Sequence, residues 1–201
     1  MIELVVATRN RHKTREIQPI LGPEFSVRDL GAHPEVSETR ESGTSFEENA
    51  KLKALAASKQ LPALVIGDDS GLEVDALGGA PGIYSARYAG ANATDTDKID
   101  KLLRELARIR ATEDGRRARF RCVVALARNG NLLGTFEGIA EGSIAHEARG
   151  DSGFGYDPIF VPDGFEQTFG ELSEEVKNTI SHRAKAIRAL ADRLQRLEFG
   201  G

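Results

Sequence analysis

Short apolar runs alternate along this chain with segments whose apolar residues recur at helical spacing. The apolar runs predict strands, namely IELVVA, FSVRDL and LPALVIG. The spaced segments predict helices, namely TREIQPILG, NAKLKALAASK, DTDKIDKLLRELARI and SHRAKAIRALADRLQRL. Because Asn129-Gly130 is typical of a tight hairpin turn, RFRCVVALARNGNLLGTFEGIAEGSI predicts two long paired strands. Strands that alternate with helices, together with one hairpin, predict an α/β domain with a mixed sheet.

Polar and glycine-rich stretches separate these elements. The strand LPALVIG leads directly into Asp68-Asp69-Ser70-Gly71, a sequence typical of turns, and the following GLEVDALGGAPGIYSARYAG predicts mostly loop. Ahead of the second helix, Thr44 with Glu47 and Ser45 with Glu48 form two overlapping capping boxes. Because ligands of open α/β sheets usually bind where strands end, we expect the polar stretches to line one cleft.

Composition narrows the class of protein. Of the 201 residues, 40% are apolar and 29% charged, as in ordinary globular proteins. The net charge of −4 disfavours a nucleic-acid partner, because such binding normally shows as an excess of basic residues. Every apolar stretch falls short of the roughly 20 residues that a membrane span needs, and MIELVVATRN is a poor signal peptide. The single cysteine, Cys122, excludes an internal disulfide and a cysteine-based zinc site. These features favour a cytoplasmic protein without a membrane partner.

Positive charge gathers at the start of the first predicted helix, in Arg9, Arg11, His12 and Lys13. Cations have the wrong sign for this position, because the exposed N–H groups of a helix N-terminus already carry about half a positive charge. A strand, a polar loop and a helix start with Asn10 and Lys13 are typical of a phosphate-binding site, although the Walker pattern GxxxxGK[ST] is absent. The alternative is a solvated loop whose arginines contact other carboxylates.

Carboxylates form a second candidate group. Asp68 and Asp69 follow a predicted strand directly, Glu41 ends a polar loop, and Glu48 lies in the first turn of a predicted helix. Brought together opposite a basic loop, such carboxylates are suited to hold a hard cation such as Mg2+ against a phosphate, and one of them to act as base toward water. The alternative is that Asp-Asp-Ser-Gly serves a turn and that Glu48 caps its helix.

Two later stretches are candidates for recognition of a planar ligand. In Ser181-His182-Arg183, positive charge again lies at a predicted helix start, where both side chains can donate to a carbonyl or phosphate oxygen. The alternative is an exposed pair in contact with solvent. In GFGYDP at 153–158, the glycines allow a flat ligand to approach Phe154 or Tyr156, and Asp157 can accept from a ring N–H. The alternative is a glycine-proline turn with an aromatic plug.

Five stretches in this order resemble the family of inosine triphosphate pyrophosphatases, also called dITP/XTP pyrophosphatases. The family pattern T/S-x-N-x-x-K corresponds to Thr8-Arg9-Asn10-Arg11-His12-Lys13. The other four are ESGTSFEENAKLKA at 41–54, DDSGLEVDALGGAPGIYSARYAG at 68–90, GFGYDPIF at 153–160 and ELSEEVKNTISHRAKA at 171–186. Together they span nearly the whole chain, which makes the match specific. One small departure is Tyr156, which stands where some members carry Trp.

The resemblance implies one domain over residues 1–201, with a two-lobed α/β fold, a long central mixed sheet flanked by helices, and an active-site cleft between the lobes. It also implies homodimers and Mg2+-dependent hydrolysis of ITP, dITP and XTP to the monophosphate and pyrophosphate, an activity that cleanses the nucleotide pool. Glu41 and Asp69 would hold the metal, and Asp69 would also be the general base. The residues implied to bind substrate are Thr8, Arg9, Asn10, Arg11, His12, Lys13, Ser70, Phe154, Gly155, Tyr156, Asp157, Lys177, His182 and Arg183.

Selectivity is expected to come from the oxygen at position 6 of the purine, which is an amino group in adenine. Adenine would leave donors from Arg183 or His182 unpaired, and discrimination by buried polar groups reaches about 10⁴-fold. Three alternatives are a dTTP or UTP pyrophosphatase on a similar scaffold, a non-catalytic nucleotide-binding module, and a nucleic-acid-binding protein. The stretches SHR and GFGYDP argue against the first, and the paired acids argue against the second.

Overall fold

The structure is a computed structural model that describes residues 2–199, with the side chains of residues 2–195. Its strands are β1 (Ile2–Val6), β2 (Phe25–Asp29), β3 (Leu64–Val74), β4 (Arg117–Arg128), β5 (Asn131–Ile144) and β6 (Phe160–Pro162). Its helices are α1 (Arg11–Leu21), α2 (Phe46–Ser58), α3 (Asp95–Arg108), α4 (Glu174–Ile180) and α5 (His182–Phe199). Short 3-10 helices occur at Asp75–Leu77, Gly82–Arg87, Asp114–Arg116 and Asp157–Ile159.

The strands form a six-stranded sheet in the order β2-β1-β3-β4-β5-β6. Strand β1 pairs in parallel with β2 and with β3, whereas β5 and β6 are antiparallel. The predicted hairpin is confirmed: Asn129 and Gly130 join β4 to β5, with φ of 52° and 76°. Both values are positive, as a type I′ turn requires. The predicted α/β architecture with a mixed sheet is therefore confirmed.

Strand β3 is longer than the sequence predicts. The turn that is the alternative interpretation of Asp68-Asp69-Ser70-Gly71 does not form, because these residues continue β3, which ends at Val74. The predicted loop therefore begins after Val74, and it contains 3-10 helices at Asp75–Leu77 and Gly82–Arg87. Turn propensity at Asp and Gly is a local preference, and here it is overridden by tertiary contacts of the two carboxylates, which are described below.

Two details at helix ends also differ from expectation. Ser45 is the N-cap of α2, and its hydroxyl accepts from the N–H of Glu48 at 3.1 Å. The carboxylate of Glu48 then accepts from the N–H and the hydroxyl of Thr44, at 2.6 and 2.9 Å, so one cap forms where two overlapping boxes were predicted. Helix α4 was not predicted, and the side chain of Leu197, predicted on the apolar face of the last helix, lies outside the described side chains.

The chain divides into two compact units. Unit 1 comprises Met1–Asp69, Cys122–Gly138 and His182–Gly201, and unit 2 comprises Ser70–Arg121 and Ile139–Ser181. Strands β3, β4 and β5 each contribute residues to both units. The prediction of one functional domain with an active-site cleft between two lobes stays a prediction.

The core of unit 1 follows the two-residue alternation of its strands. Leu4, Val6 and Ile66 pack with apolar residues of α1 and α5. Their neighbours in sequence point the other way, because successive side chains of a strand face opposite sides of the sheet. Val5 and Val65 accordingly pack in a separate cluster that includes Ala57 of α2.

The core of unit 2 is built around three phenylalanines. The rings of Phe120 and Phe160 lie 4.7 Å apart between centroids, and those of Phe160 and Phe169 lie 5.2 Å apart. Helix α3 contributes its predicted apolar face through Ile99, Leu102 and Leu106. Within residues 2–199, no helix combines the length and the apolar character needed to cross a membrane.

Glycine at position 67 sets how closely α2 approaches β3. A Cβ at Gly67 would overlap the carbonyl oxygen of Ala50 and would lie 2.7 Å from the backbone nitrogen of Ala54. Neither obstacle can move without shifting the helix, since both belong to its backbone.

We therefore expect Gly67→Ala to lower the free energy of unfolding by about 3 kcal/mol, as overpacking against a fixed backbone does. Gly134→Ala is the matched control in a strand of the same unit, because a Cβ there would meet only the far end of the Phe136 side chain, at 3.2 Å. Urea unfolding should show a change within about 0.5 kcal/mol for the control. Equal stability of the two variants would contradict this account of helix packing.

Candidate active site

The loop between β1 and α1 is organised as a helix start. Asn10 is the N-cap of α1, and its side-chain oxygen accepts from the N–H of His12 at 3.0 Å. The hydroxyl of Thr8 accepts from the N–H of Asn10 at 3.1 Å. Arg11 and His12 are exposed, and the first turn of α1 contains no acidic residue. The helix start is therefore positive, as a phosphate-binding site requires.

The Arg9 side chain has a different role from its neighbours. Its guanidinium donates to the carbonyl oxygens of Leu30 and Val36, each at 2.9 Å. These bonds tie the loop that follows β2 to the residues that precede α1. Contact of Arg9 with substrate stays a prediction, whereas its contact with the backbone is observed.

Asp68 joins two of the predicted cationic residues. It is 1% exposed, and its Oδ1 pairs with the ammonium of Lys13 while its Oδ2 accepts from Nε of Arg183 at 2.8 Å. Burial taken alone would raise the pKa of Asp68, but the charges of Arg183 and Lys13 together outweigh it and hold the pKa well below its usual range. Asp68 is thus a permanent anion that lies between two cations.

Asp69 points to the opposite face of β3 and lies in a different environment. Its Oδ1 accepts from Nζ of Lys53 at 2.8 Å, and its Oδ2 accepts from Nδ2 of Asn49 at 3.2 Å. The ammonium of Lys53 also pairs with Oε1 of Glu41 at 2.6 Å. Burial raises the pKa of Asp69, Lys53 opposes this, and the negative charge of Glu41 adds to it, so that the pKa lies above its usual value.

Helix α2 supplies the partners of Asp69, and sequence reasoning missed them. Asn49 and Lys53 are one helical turn apart and buried, and they lie among the buried alanines 50, 54 and 57. They are four positions apart, which puts both on one face of the helix. The available signal was a pair of polar residues at this spacing within an alanine-rich face. Burial lowers the pKa of Lys53, but Asp69 and Glu41 raise it beyond its usual value, so the ammonium stays charged.

The two predicted metal ligands, Glu41 and Asp69, lie close together because both pair with the ammonium of Lys53. Among the described side chains, those of residues 2–195, no group of three or more His, Cys, Asp or Glu is arranged to hold a metal ion. Two carboxylates suit Mg2+ in nucleotide enzymes, because that ion usually takes its remaining ligands from phosphate oxygens and water. The donor set therefore fits a cation that arrives with a phosphorylated ligand.

In unit 2, the residues of the GFGYDP stretch and of α4 form a second cluster. The Asp157 carboxylate, 2% exposed, pairs with Nζ of Lys177 at 2.6 Å and accepts from the N–H of Phe154 at 2.7 Å. The same ammonium lies 5.2 Å from the centroid of the Phe154 ring. Gly153 has a φ of +79°, and a Cβ there would overlap the Asp157 carboxylate, so this turn requires glycine. Phe154, Asp157 and Lys177 thus lie together in the structure, and their contact with a purine stays a prediction.

Tyr156 lies in the core of unit 2. It is 4% exposed, and its hydroxyl donates to the carbonyl oxygen of Ser85 at 3.0 Å. This geometry favours the interpretation of Tyr156 as an aromatic plug over that of a stacking platform. The N–H of Gly155 donates to the carboxylate of Asp95 at 2.7 Å. Ser70 is half-buried in β3, and His182 is buried at the start of α5.

Residues 4–193, almost the whole chain, match the Ham1 family. The chain belongs to the Ham1 family. The family predicted from the five sequence stretches is therefore confirmed. Pyrophosphatases of the Ham1 family are in general metal-dependent.

Relatives in the Ham1 family match this chain over nearly its full length. The dITP/XTP pyrophosphatase of Bacillus licheniformis is 47% identical over 195 residues, which cover 95% of this chain and 97% of that protein. The dITP/XTP pyrophosphatase of Bacillus subtilis is 46% identical over 196 residues, with 97% and 98% covered. The structure of the HAM1 protein from Coxiella burnetii superimposes with a TM-score of 0.87 at 41% identity, and the match covers 98% of this chain and 100% of that one.

The two adjacent aspartates should respond differently to neutralisation. At neutral pH, Asp68→Asn should cost about 3 kcal/mol of unfolding free energy, because it leaves two buried cations without their shared anion. Asp69→Asn should change it by no more than about 1 kcal/mol, because the folded protein already disfavours ionised Asp69 relative to the unfolded chain.

The pH dependence of the two effects has opposite sign. The pKa of Asp68 is lowered, so the stability that it contributes is present above the usual aspartate pKa and is lost as pH falls toward the lowered value. The pKa of Asp69 is raised, so stability is lost as pH rises through the raised value. Urea unfolding from pH 3 upward measures both, and equal costs for the two variants at neutral pH would refute the distinction.

Proposed function

We propose that this chain hydrolyses the non-canonical purine nucleoside triphosphates ITP, dITP and XTP to the nucleoside monophosphate and pyrophosphate. The observation that carries the proposal is that β3 contains two adjacent buried acids in contrasting environments. Asp68 pairs with Lys13, the lysine predicted to bind phosphate, and the pKa of Asp69 is raised. Names of the relatives, which are dITP/XTP pyrophosphatases at 46% and 47% identity, support the substrate class. A homodimer that acts in the cytoplasm, without a nucleic-acid or membrane partner, belongs to the same proposal.

The triphosphate is bound by residues 8–13. Backbone N–H groups at the start of α1 and the cations Arg11 and Lys13 offer positive charge to the phosphate oxygens, and the imidazole of His12 can donate a hydrogen bond to them. Asn10 fixes the helix start. Lys13 is a compact point charge on a flexible stem, so it can follow phosphate oxygens as their charge changes. The exposure of Arg11 and His12 leaves both accessible to a ligand.

Asp69 is the general base. Its two oxygens are held by Lys53 and Asn49, at 2.8 and 3.2 Å, so the carboxylate has a defined orientation. A raised pKa makes it a better proton acceptor than an exposed aspartate, while the ammonium of Lys53 keeps enough of it ionised. An oxygen of Asp69 accepts the proton of the water that attacks phosphorus.

Glu41 and Asp69 are the residues that would hold Mg2+. When bound, the ion would neutralise charge on the phosphate oxygens. The side chains of Glu41, Lys53 and Asp69 sum to a charge of −1 when all are ionised, so the group attracts a cation rather than a bare polyphosphate. The role of Lys53 in this proposal is to keep the two carboxylates close together.

The purine is assigned to Ser70, to the segment 154–157, and to Lys177, His182 and Arg183. Of these, the half-buried ring of Phe154 offers a face to a flat base beside the ammonium of Lys177. Asp157 and Tyr156 support that pair through the buried contacts described above. Recognition of the 6-oxygen by Arg183 or His182 stays part of the proposal.

Incubation with ITP and Mg2+ tests the reaction class. Chromatography should identify IMP and pyrophosphate as products, with ATP and dTTP turned over far more slowly, because the site is proposed to read a 6-oxo purine. Release of IDP and orthophosphate would place attack at the wrong phosphorus and would overturn the proposal. Faster turnover of dTTP than of ITP would favour the pyrimidine alternative.

The role of Asp69 as general base is tested by the variant Asp69→Asn. Turnover of ITP should fall by about a thousandfold, the middle of the range for removal of a positioned general base, while the protein still folds. Glu47→Gln removes the same charge from an exposed position in the first turn of α2 and is the matched control. Parent-like turnover by the Asp69→Asn variant would remove Asp69 from this role.

A further inference from the structure

A single carboxylate in unit 1 is shared by two cations from different helices. Oδ1 of Asp68 pairs with the ammonium of Lys13 from α1, and Oδ2 accepts from the guanidinium of Arg183 from α5, at 2.8 Å. The side chain of Asp68 has 0% exposure, and those of Lys13 and Arg183 have 13% and 2%. Little water can therefore screen the charges from one another.

The contacts close into a ring. Nη1 of Arg183 pairs with Oε2 of Glu16, which lies in α1 three residues after Lys13. The ring thus runs from α1 to β3, on to α5, and back to α1. Its two cations and two anions sum to zero charge when all four are ionised.

The ring matters because Lys13 has two competing uses. Asp68 holds its ammonium through both Oδ1 and the main-chain oxygen, the latter at 3.3 Å. A phosphate that takes this ammonium must compete with Asp68 for it. Asp68 then keeps its bond to Arg183, and their interaction strengthens because the ammonium of Lys13 no longer draws on the same carboxylate.

We propose that Asp68 is a positioning residue that couples the phosphate-binding lysine to Arg183, so that binding of phosphate by Lys13 tightens the hold of Asp68 on Arg183. The inference deepens the proposed function and rests on it in one respect, namely that Lys13 contacts phosphate. Its consequence is that Arg183 is fixed most firmly when the phosphate groups are already in place. The buried thiol of Cys122 also donates to Oδ2 of Asp68, at 3.4 Å.

Binding of inorganic pyrophosphate without added metal isolates the contribution of Lys13. Asp68→Asn should bind pyrophosphate about tenfold more tightly than the parent, if Lys13 is engaged by Asp68 nine-tenths of the time, because the competing anion is gone. Loss of folding cannot produce this result, since it weakens binding. Calorimetric titration measures the dissociation constants directly.

Glu16→Gln is the matched control, because it removes the same charge from the same ring but takes away the partner of Arg183 rather than that of Lys13. Its dissociation constant for pyrophosphate should stay within about twofold of the parent, as expected when no competing anion of Lys13 is removed. Equal tightening in both variants would mean that only net charge matters, and no tightening in Asp68→Asn would mean that Asp68 does not compete for Lys13. Either result overturns the proposal.

A measurement on the unsubstituted chain covers the case in which Asp68→Asn does not fold. The Nε–H signal of Arg183, assigned by its loss in Arg183→Lys, should shift when pyrophosphate saturates the ¹⁵N-labelled protein. The shift should vanish in Lys13→Met at saturating pyrophosphate, because the effect of pyrophosphate on Arg183 is transmitted through Lys13 and Asp68. No shift in the parent, or an equal shift in Lys13→Met, would overturn the coupling.

Neither readout involves hydrolysis, so the two proposals fail separately. A chain that passes both binding tests but does not cleave ITP would refute the proposed function and leave the coupling intact. A chain that cleaves ITP but whose Arg183 signal does not shift with pyrophosphate would refute the coupling and leave the proposed function intact.

Discussion

Two consecutive aspartates lie buried in the middle of a strand, and unit 1 is arranged around their neutralisation. Removal of an ion from water costs several kcal/mol even after the protein relaxes, so neither carboxylate is tolerable without a cation. The alternation of β3 sends the Asp68 carboxylate toward α1 and α5 and the Asp69 carboxylate toward α2, so each carboxylate bonds to cations of different helices. Each of the three helices accordingly contributes one: Lys13, Arg183 and Lys53. The requirement for a cation beside each carboxylate constrains where each helix packs and which side chain it directs toward β3.

The same arrangement divides the chemistry between the two acids. Asp68 has a cation on each oxygen and a lowered pKa, so it cannot take up a proton near neutral pH and acts only as a fixed charge. Asp69 has one cation and one amide, with a second carboxylate beyond the cation, and its pKa is raised. Adjacent groups whose environments push their pKa values apart are a recurring way in which a site separates an electrostatic role from a proton-accepting one. Here the two roles are separated because successive side chains of β3 point to opposite faces of the sheet.

Much of the fold could be predicted from the sequence because it is encoded locally. The hairpin at Asn129-Gly130, the helix with Ile99, Leu102 and Leu106, and the Ser45 cap depend on spacing or on turn chemistry within a few residues. The continuation of β3 through Asp68 could not be predicted in this way, since it depends on cations that lie 55 and 115 residues away. Lys53 was missed for the same reason: its neighbours give it the character of a surface lysine, and only the approach of α2 to Gly67 makes it a core residue. The grouping of Glu41 with Asp69 was expected from family resemblance, and the structure adds the ammonium that joins them.

The stretch GFGYDP posed a choice between a turn with an aromatic plug and a surface for a flat ligand, and unit 2 satisfies both. The plug is Tyr156, which is buried with its hydroxyl bonded to Ser85. The ligand surface, if the proposal for the purine is right, is the neighbouring Phe154, whose ring lies beside the Lys177 ammonium. One residue separates them, and the positive φ of Gly155, +65°, turns the chain between the two side chains. The Asp157 carboxylate then fixes both the N–H of Phe154 and the ammonium of Lys177, so the ring and the cation share one anchor. The turn buries one aromatic ring and anchors the next one. A purine that binds to Phe154 would therefore meet a ring that is already held in place.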